Sequence, residues 1–407
     1  MKRRSFVSLP ALAMLPPTTA EVASPSGVAP PTGVTQPGAG LTTPAAAFSS
    51  PAIVDGNLPA FHSALADELT FPLAWTRSRT RSFRTWRRTA RAKVEELLCQ
   101  PDDATPFAPQ ILDEQDGDGY LRRTLSFNVT RHSRVRAAML VPRGRGPHPA
   151  VLLLHDHGSK FDIGKEKLVR PWYDPDRLAS AQAWSDRYFG GRFVGDELAR
   201  RGYVVLAVDA LGWGDRSGLG YEAQQALASN LFHLGSSLAG LTAREDTRAA
   251  AFLGTLPYVD RRRIGALGFS MGGYRAWQVA ALSDHVAAAA SVCWMTTLKA
   301  MMVPGNNTLR GQSAYFMLHP GLHRHLDIPD VASIAAPKPM LFFNGELDTL
   351  FPAAGVRDAY AKMRAVWRSQ RAEDRLHPMI WPGLGHVFPP EMQDEAFRWL
   401  DRWLRRA

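Results

Sequence analysis

The chain has 407 residues, of which 45% are hydrophobic and 21% charged, and its formal net charge is +10. This balance excludes a largely disordered or fibrous protein and is typical of a globular protein with a large core. After residue 20, no apolar run in the sequence is long enough to cross a bilayer, which argues against a transmembrane protein.

The first part of the chain predicts an export signal and a tether. Residues 1–20 combine a basic start, a short apolar stretch and small final residues, as cleavable signal peptides do, and Arg3-Arg4 is typical of the twin-arginine type. Pro10 interrupts the apolar stretch and leaves open an uncleaved cytoplasmic tail. Residues 21–52 are rich in Pro, Ala, Gly, Ser and Thr and predict a disordered linker. We therefore expect an exported protein, periplasmic or secreted, and otherwise a cytoplasmic one.

Residues 53–120 predict a helical extension packed on the main domain. Eight basic residues and no acidic ones lie between Arg77 and Lys93, so this segment carries most of the net charge. Apolar residues recur through it at helical spacing, which indicates an amphipathic helix with a basic outer face. Such a face can contact nucleic acid, but no nucleic-acid motif accompanies it, so a solvated face is favoured and no nucleic-acid partner is expected.

From residue 121 the sequence alternates strand and helix patterns. The predicted strands are residues 121–130, 134–142, 149–155, 203–210, 263–269, 285–292, 339–345 and 377–383. The predicted helices are one ending at 202, one over 221–256, one starting at 271, one over 355–367 and a terminal one. Strands separated by helices require crossovers, which predicts an α/β fold over 121–407: a mostly parallel, doubly wound sheet covered by helices, with antiparallel strands at its start.

A serine between glycines marks the junction of one strand and its helix. Gly268-Phe269-Ser270-Met271-Gly272 matches G-x-S-x-G, followed by Gly273. A tight turn there would lift Ser270 out of the sheet, and side chains larger than glycine would collide with neighbouring backbone. The pattern predicts Ser270 as a nucleophile, which needs a base to activate its hydroxyl.

An acid and a base follow in the order expected for such an elbow. Asp348 in "GELDTLFP" and His386 in "GLGHVFP" each lie just beyond a predicted strand end, where the chemistry of doubly wound sheets collects. Glu346 is an alternative acid, but it is closer to its strand and longer. His377 is an alternative base, but it precedes its strand and belongs to the opposite end of the sheet.

Backbone N–H groups are expected to form an oxyanion hole. Met271 follows the nucleophile and opens a helix, and His157 lies in the loop after the strand "PAVLLLH". The segment from Phe161 to Arg192 is too long for a simple loop and predicts a lid or pocket rim. Aromatic residues predicted to contact substrate, or else to belong to the core, are Trp184, Tyr188 and Trp294.

No metal or other cofactor is expected. His155, Asp156 and His157 lack a suitably spaced further ligand, and the histidines at 319, 323 and 325 lack the glutamate of H-E-x-x-H. The acidic segment "DEQDGDGY" lacks the final glutamate of a calcium loop, so it predicts a turn between strands. Cys99 and Cys293 are too far apart to indicate a disulfide framework and are expected to be unpaired.

These segments together resemble the α/β-hydrolase superfamily and, within it, the dienelactone-hydrolase-like and acetyl-xylan-esterase-like branch. The resemblance covers roughly residues 121–407 and rests on "LLLHDHGSKFDIGKEK", "VVLAVDALGWGDRSG", "GALGFSMGGYRAW", "NGELDTLF" and "GLGHVF". It implies a serine hydrolase without a cofactor, whose triad would be Ser270, Asp348 and His386. Dienelactone hydrolases proper use a cysteine nucleophile, so the serine here favours ester cleavage.

Three functions follow as alternatives. The favoured one is hydrolysis of carboxylic esters through an acyl-enzyme, on a small-molecule or carbohydrate ester. A serine peptidase of the prolyl-oligopeptidase type would share the elbow but normally carries a propeller, for which the roughly 120 preceding residues are too few. The third is a catalytically silent binding protein on a hydrolase scaffold.

Overall fold

The computed structural model describes residues 53–54, 58–59, 61–217, 220–303, 306–307 and 315–405. The predicted signal peptide (1–20) and linker (21–52) lie outside these described residues. The strands of the main sheet are β1 (Gln110–Asp116), β2 (Tyr120–Thr130), β3 (Ser133–Pro142), β4 (His148–Leu154), β5 (Val204–Val208), β6 (Val259–Phe269), β7 (Ala288–Val292), β8 (Met340–Gly345) and β9 (Leu376–Trp381). Short antiparallel pairs also form between Ile53–Val54 and Leu58–Pro59, and between Met302–Val303 and Asn306–Asn307.

Helices cover both faces of the sheet. They are α1 (His62–Asp67), α2 (Phe83–Leu97), α3 (Pro175–Tyr188), α4 (Val194–Arg200), α5 (Gly220–His233), α6 (Leu238–Leu253), α7 (Met271–Leu282), α8 (Ile328–Ser333), α9 (Ala353–Ser369) and α10 (Pro390–Leu400). No helix in the described part of the chain is both long and apolar enough to span a membrane.

The sheet order is β9-β8-β7-β6-β4-β5-β3-β2-β1. Strands β4 to β9 run parallel, while β1, β2 and β3 add antiparallel neighbours at one edge. Because the parallel strands are joined by helical crossovers, their carboxyl ends meet at one edge of the sheet. This confirms the predicted α/β class and its antiparallel start.

The middle strands are buried because helices lie on both faces. All five residues of β5 are buried, and so are six of the seven in β4, which explains their continuous apolar runs. Two apolar layers result, one on each face of the sheet. Side chains of β4 and β6 point alternately into these two layers, which fixes the register of the two strands. The register in turn sets where the loops after both strands begin.

Residues 61–109, which precede β1, contain the helices α1 and α2. In α2 the residues Trp86, Ala90 and Val94 are buried, and the Trp86 indole N–H donates to the carbonyl of Leu73 at 2.7 Å. The basic face points outward, with Arg91 bound to Asp284 at 2.8 Å. The range predicted as a helical extension, residues 53–120, also contains the strand β1, which the sequence does not predict.

Several predicted element bounds differ from the structure, and β6 begins at Val259 instead of residue 263. The helical stretch over 221–256 is two helices, because the chain turns at Gly235 (φ 73°) and Ser237 then caps α6 through a hydrogen bond from Gly240 N–H. The strand expected from His285 begins only at Ala288. The acidic segment "DEQDGDGY" forms the end of β1 and the hairpin turn to β2, as the sequence predicts.

Ser82→Ala is expected to lower the free energy of unfolding by about 1 kcal/mol, because Ser82 Oγ accepts the Thr85 backbone N–H at 3.3 Å and caps α2. Urea unfolding measures the change. Thr89→Ala, at an exposed position inside the same helix, is the control and should leave stability equal or slightly higher. Equal stability of Ser82→Ala and wild type would contradict the capping role.

Asp330 in α8 is expected to make the free energy of unfolding depend on pH. Burial and the neighbouring Asp327 carboxylate raise the pKa of Asp330 from 3.8 to about 6, although the Asp327 backbone N–H, at 3.0 Å, lowers it. The folded state therefore binds this proton more tightly than the unfolded state. The contribution of Asp330 to stability rises as pH falls from 6 to 3.8 and is lost as pH rises.

Asp330→Asn removes this titration. We compare the free energy of unfolding of the variant with that of wild type at each pH. This difference should favour the variant by roughly 2 kcal/mol more at pH 7 than at pH 4, since one pKa unit corresponds to about 1.4 kcal/mol. Urea unfolding of both proteins at the two pH values measures the change. A wild-type-to-variant difference that is the same at both would refute the raised pKa.

Candidate active site

Ser270 occupies a strained turn between β6 and α7. Its backbone lies at φ 55° and ψ −123°, a region that non-glycine residues rarely adopt. A Cβ at Gly268 would overlap the backbone of Gly272, and a Cβ at Gly272 would overlap the carbonyl oxygen of Leu154. The glycines therefore let the turn pack against β4 while the serine hydroxyl points out of the sheet.

The structure brings together the three residues that the sequence singled out. His386 Nε2 lies 2.8 Å from Ser270 Oγ, and His386 Nδ1 lies 2.7 Å from Asp348 Oδ2. In the tautomer that satisfies both contacts, Nδ1–H donates to the carboxylate and Nε2 accepts the serine hydroxyl. The residues follow the carboxyl ends of β6, β8 and β9, so the parallel sheet places them at one edge.

Burial differs along this chain of hydrogen bonds. The Asp348 side chain is fully buried, and its second oxygen accepts the Leu350 backbone N–H at 3.0 Å. The His386 side chain keeps 21% of its surface exposed, on the pocket side. The carboxylate is thus fixed, while the imidazole can reach both the serine and a bound molecule.

The alternative acid and base lie elsewhere. Glu346 is exposed and accepts the backbone N–H of Gly383 at 3.0 Å. His377 is the second residue of β9, where its ring stacks on Trp399 at 5.7 Å. Neither is placed to contact Ser270.

Of the two expected oxyanion donors, Met271 directly follows Ser270, and His157 lines the same pocket as Ser270. Met271 is the first residue of α7, so its N–H belongs to the positive end of the helix dipole. His157 lies in the loop after β4, and its carbonyl accepts Lys167 Nζ at 3.1 Å. His155 stays neutral, because burial lowers its pKa, and its Nε2 accepts the Ala210 N–H at 2.9 Å.

Lys167 holds this loop from inside the protein. Its buried ammonium also contacts Asp156 Oδ1 at 3.3 Å and lies 4.7 Å from the centre of the Trp184 ring. Trp184 in turn donates its indole N–H to Asp156 Oδ2 at 3.0 Å. Burial lowers the pKa of Lys167, although the Asp156 carboxylate opposes that effect.

A pocket of about 220 Å³ opens above the serine. Its walls include all three predicted aromatic residues, Trp184, Tyr188 and Trp294, together with Ser270 and His386. The segment predicted as a lid contributes α3, whose Trp184 and Tyr188 rings lie 4.5 Å apart. The remaining apolar lining residues are Met301, Phe316 and Met317, together with Leu350 and Phe351 from the loop after β8.

The loops after β4 and β5 form a buried cluster of charged side chains that the sequence did not predict. Lys165 Nζ contacts Glu166 at 2.9 Å and Asp209 and Asp215 at 2.8 Å each, and Arg177 also contacts Glu166 and Asp215. Burial alone would raise the pKa of Glu166, but the charge of Lys165 and the hydrogen bonds that the Glu166 carboxylate accepts lower it to about 2. Part of the cluster is visible in the sequence as the pair of aspartates, Asp209 and Asp215, in "DALGWGDRSG".

Asp348 and His386 also form, with Cys293, a group of side chains spaced like metal ligands. Among the described side chains, Cys293, Asp348 and His386 bring ligand atoms within 4.8 Å of one another. Burial raises the pKa of the Cys293 thiol, which disfavours the thiolate that metals prefer. Since Asp348 and His386 are also hydrogen-bonded to each other, this donor set fits an acid–base pair better than a metal site. Cys99 and Cys293 are both free thiols.

A mostly parallel sheet flanked by helices, with a serine elbow between strand and helix, defines an α/β-hydrolase. Residues 60–366 match the sequence model of the Abhydrolase family, and the chain belongs to that family. A Bacillus subtilis relative, YtaP, described as a candidate hydrolase, is 29% identical over 77% of this chain and 98% of its own.

Solved structures share the fold. A Bacteroides fragilis protein, described as a candidate acetyl xylan esterase, is 19% identical with a TM-score of 0.63 over 80% of this chain and 82% of its own. Acetyl xylan esterase 1 of Thermoanaerobacterium is 17% identical with a TM-score of 0.51 over 78% and 93%. A glucuronoyl esterase of Solibacter usitatus is 14% identical with a TM-score of 0.57 over 88% and 98%.

Proposed function

We propose that the protein is a serine hydrolase of carboxylic esters, in which Ser270, His386 and Asp348 form the catalytic triad. The observation that carries the proposal is the hydrogen-bonded series from the buried Asp348 carboxylate through His386 to the Ser270 hydroxyl, at 2.7 and 2.8 Å, on the floor of a pocket. A serine hydroxyl that is hydrogen-bonded to an imidazole, with a fixed carboxyl group on the far side of the ring, is arranged as an activated nucleophile.

The reaction proceeds in two halves. Ser270 Oγ attacks the ester carbonyl carbon as its proton moves to His386 Nε2, and collapse of the tetrahedral intermediate expels the alcohol, which takes that proton. Water then attacks the acyl-enzyme, giving its proton to His386, and the carboxylic acid leaves as Ser270 recovers the proton. Asp348 stabilises the imidazolium in both halves.

The backbone N–H groups of Met271 and His157 are proposed to bind the developing oxyanion. Met271 adds the positive end of the α7 dipole. Lys167 supports the His157 side by binding that residue's carbonyl oxygen, which orients the peptide groups of the loop.

The substrate class is proposed to be an ester of a small molecule or a carbohydrate. The aromatic walls formed by Trp184, Tyr188 and Trp294 suit stacking on the apolar face of a sugar ring. Solved structures with the same fold include proteins named as acetyl xylan and glucuronoyl esterases. A volume of about 220 Å³ is suited to a small acyl group with part of its alcohol.

Export is proposed on the predicted signal peptide alone. N-terminal sequencing of the mature protein, from cell fractions of the host, tests it. A mature chain starting near residue 21 outside the cytoplasm is expected, and an intact cytoplasmic chain would refute it.

Initial rates on p-nitrophenyl esters from acetate to long acyl chains test the enzyme proposal. Wild type should hydrolyse the short esters fastest, and Ser270→Ala should lose activity by at least about 10⁴-fold. A fluorophosphonate probe should label wild type and not Ser270→Ala.

The other outcomes separate the remaining functions. Labelling without ester hydrolysis, followed by cleavage of a peptide-amide panel, would indicate a peptidase. A folded wild type that is neither labelled nor active would indicate a silent scaffold.

A further inference from the structure

A second, larger cavity lies beside the catalytic pocket. Its volume is about 410 Å³, and it shares the walls Trp294 and Met317 with that pocket. Tyr274 and Gln278 line it and lie four and eight residues after Ser270, which places them about 6 and 12 Å farther along the α7 axis. The cavity is therefore one to two helical turns from the nucleophile.

The walls are mostly aromatic and aliphatic. The Tyr274 ring centre lies 4.8 Å from those of both Trp277 and Trp294, and α8 contributes Ile328 and Val331. Native cores are close-packed, and apolar walls without a partner lose dispersion contacts. A flat apolar ring would restore those contacts and stack on three aromatic side chains.

One wall of the cavity is polar. The Tyr274 hydroxyl hydrogen-bonds to His319 Nε2, and Gln278 Nε2 donates to the same ring nitrogen at 3.0 Å and to the Tyr274 oxygen at 3.2 Å. Burial lowers the pKa of His319 to about 3, so its ring is neutral. Since Nε2 accepts these bonds, the ring proton is on Nδ1.

Two buried donors are left over in this wall. His319 Nδ1 and the indole nitrogen of Trp277 have no hydrogen-bond partner among the described residues, and His319 is only 8% exposed. Unpaired buried donors are costly, and both are satisfied by an acceptor oxygen. Hydroxyl and ether oxygens on an aromatic ring are such acceptors.

We propose that this cavity binds an oxygen-substituted aromatic group of the ester substrate, with the ring against Trp277 and Trp294 and its oxygen accepting from His319 and Trp277. The inference rests on the proposed ester hydrolysis at Ser270. Met317, an unbranched and adaptable side chain, lines both pockets, and the proposed binding mode requires it to move aside so that one substrate reaches into both. The aromatic group belongs to either the acyl or the alcohol part, and the recognition chemistry is the same for both.

Hydrolysis of paired esters tests the proposal. Methyl 3-(4-methoxyphenyl)propanoate carries the ring in its acyl part and 2-(4-methoxyphenyl)ethyl acetate in its alcohol part, and each is compared with its cyclohexyl counterpart. At least one aromatic ester should exceed its counterpart in kcat/KM by tenfold or more. The one that does identifies the part that enters the cavity.

Val331→Phe fills the cavity and should remove this preference while leaving kcat/KM for ethyl acetate within twofold of wild type. Leu234→Phe is the control, because Leu234 lines neither pocket and is 79% exposed. It should keep the preference. If Val331→Phe does not fold, Phe232→Ala, which removes a half-exposed wall of the same cavity, should weaken the preference at least threefold.

Direct binding separates the cavity from the reaction. Calorimetric titration of wild type with 4-ethylanisole should show binding that weakens at least tenfold in Val331→Phe or threefold in Phe232→Ala. Binding without any ester hydrolysis would support the aromatic site and refute the proposed function. Ester hydrolysis without aromatic preference and without 4-ethylanisole binding would overturn the site and leave the proposed function standing.

Discussion

Asp348→Asn is expected to lower kcat on a p-nitrophenyl ester by about 10⁴-fold, with the protein still folded. The amide keeps the size of the side chain, but its NH₂ group cannot accept the Nδ1–H of His386, which lies 2.7 Å from Asp348 Oδ2. The imidazole then favours the tautomer with its proton on Nε2, which faces Ser270 and can no longer accept the serine proton. Stopped-flow or steady-state rates, with circular dichroism to verify folding, measure the effect.

Glu346→Gln is the matched control, two residues away in the same loop. Its side chain accepts a hydrogen bond from the backbone N–H of Gly383 at 3.0 Å, a bond that an amide oxygen preserves. The control should stay within about threefold of wild type. A loss of similar size in both variants, or a larger one in Glu346→Gln, would show that the acid has been assigned to the wrong residue.

Lys165→Met is expected to lower the free energy of unfolding by about 3–5 kcal/mol. The ammonium is fully buried and contacts Glu166, Asp209 and Asp215 within 2.9 Å, so its removal leaves three carboxylates with Arg177 as the remaining cation of the cluster. Burial already raises the pKa of Asp209, and without Lys165 its ionised form becomes costlier still. Urea unfolding at pH 7 measures the loss.

Lys160→Met, at an exposed position five residues earlier, removes the same charge without burial and should change stability by less than about 0.5 kcal/mol. If Lys165→Met also lowered the free energy of unfolding by less than about 1 kcal/mol, the buried cluster would not stabilise the loop after β4. A stable but less active Lys165→Met would instead assign the cluster to the geometry of the pocket.

The sheet and the three central side chains could be predicted because both depend on local patterns. Continuous apolar runs between helical stretches define buried parallel strands, and the carboxyl ends of such strands meet. Ser270, Asp348 and His386 each follow a strand end closely, so their convergence needed no knowledge of longer loops. The glycines around Ser270 added a local backbone requirement that the sequence shows directly.

Other features depend on distant contacts and could not be predicted. The strand β1 is exposed over most of its length and has no apolar alternation, so only its pairing with β2 makes it a strand. The letters KEK at 165–167 are typical of a solvated surface, yet all three residues are buried because partners from other loops neutralise them. The cavity beside the catalytic pocket is bounded by α7, α8 and residues 317–323, whose approach no local pattern indicates.

The single ammonium of Lys167 joins a wall of the pocket to the loop that carries His157. It touches the Asp156 side chain and the His157 carbonyl, and it lies against the ring of Trp184, which is itself bonded to Asp156. Substitutions at Trp184 therefore reshape the space for substrate and loosen the loop at the same time. Laboratory evolution of substrate range should consequently proceed through other pocket residues such as Met301 and Leu350, whose substitution leaves the contacts among Lys167, Asp156 and Trp184 in place.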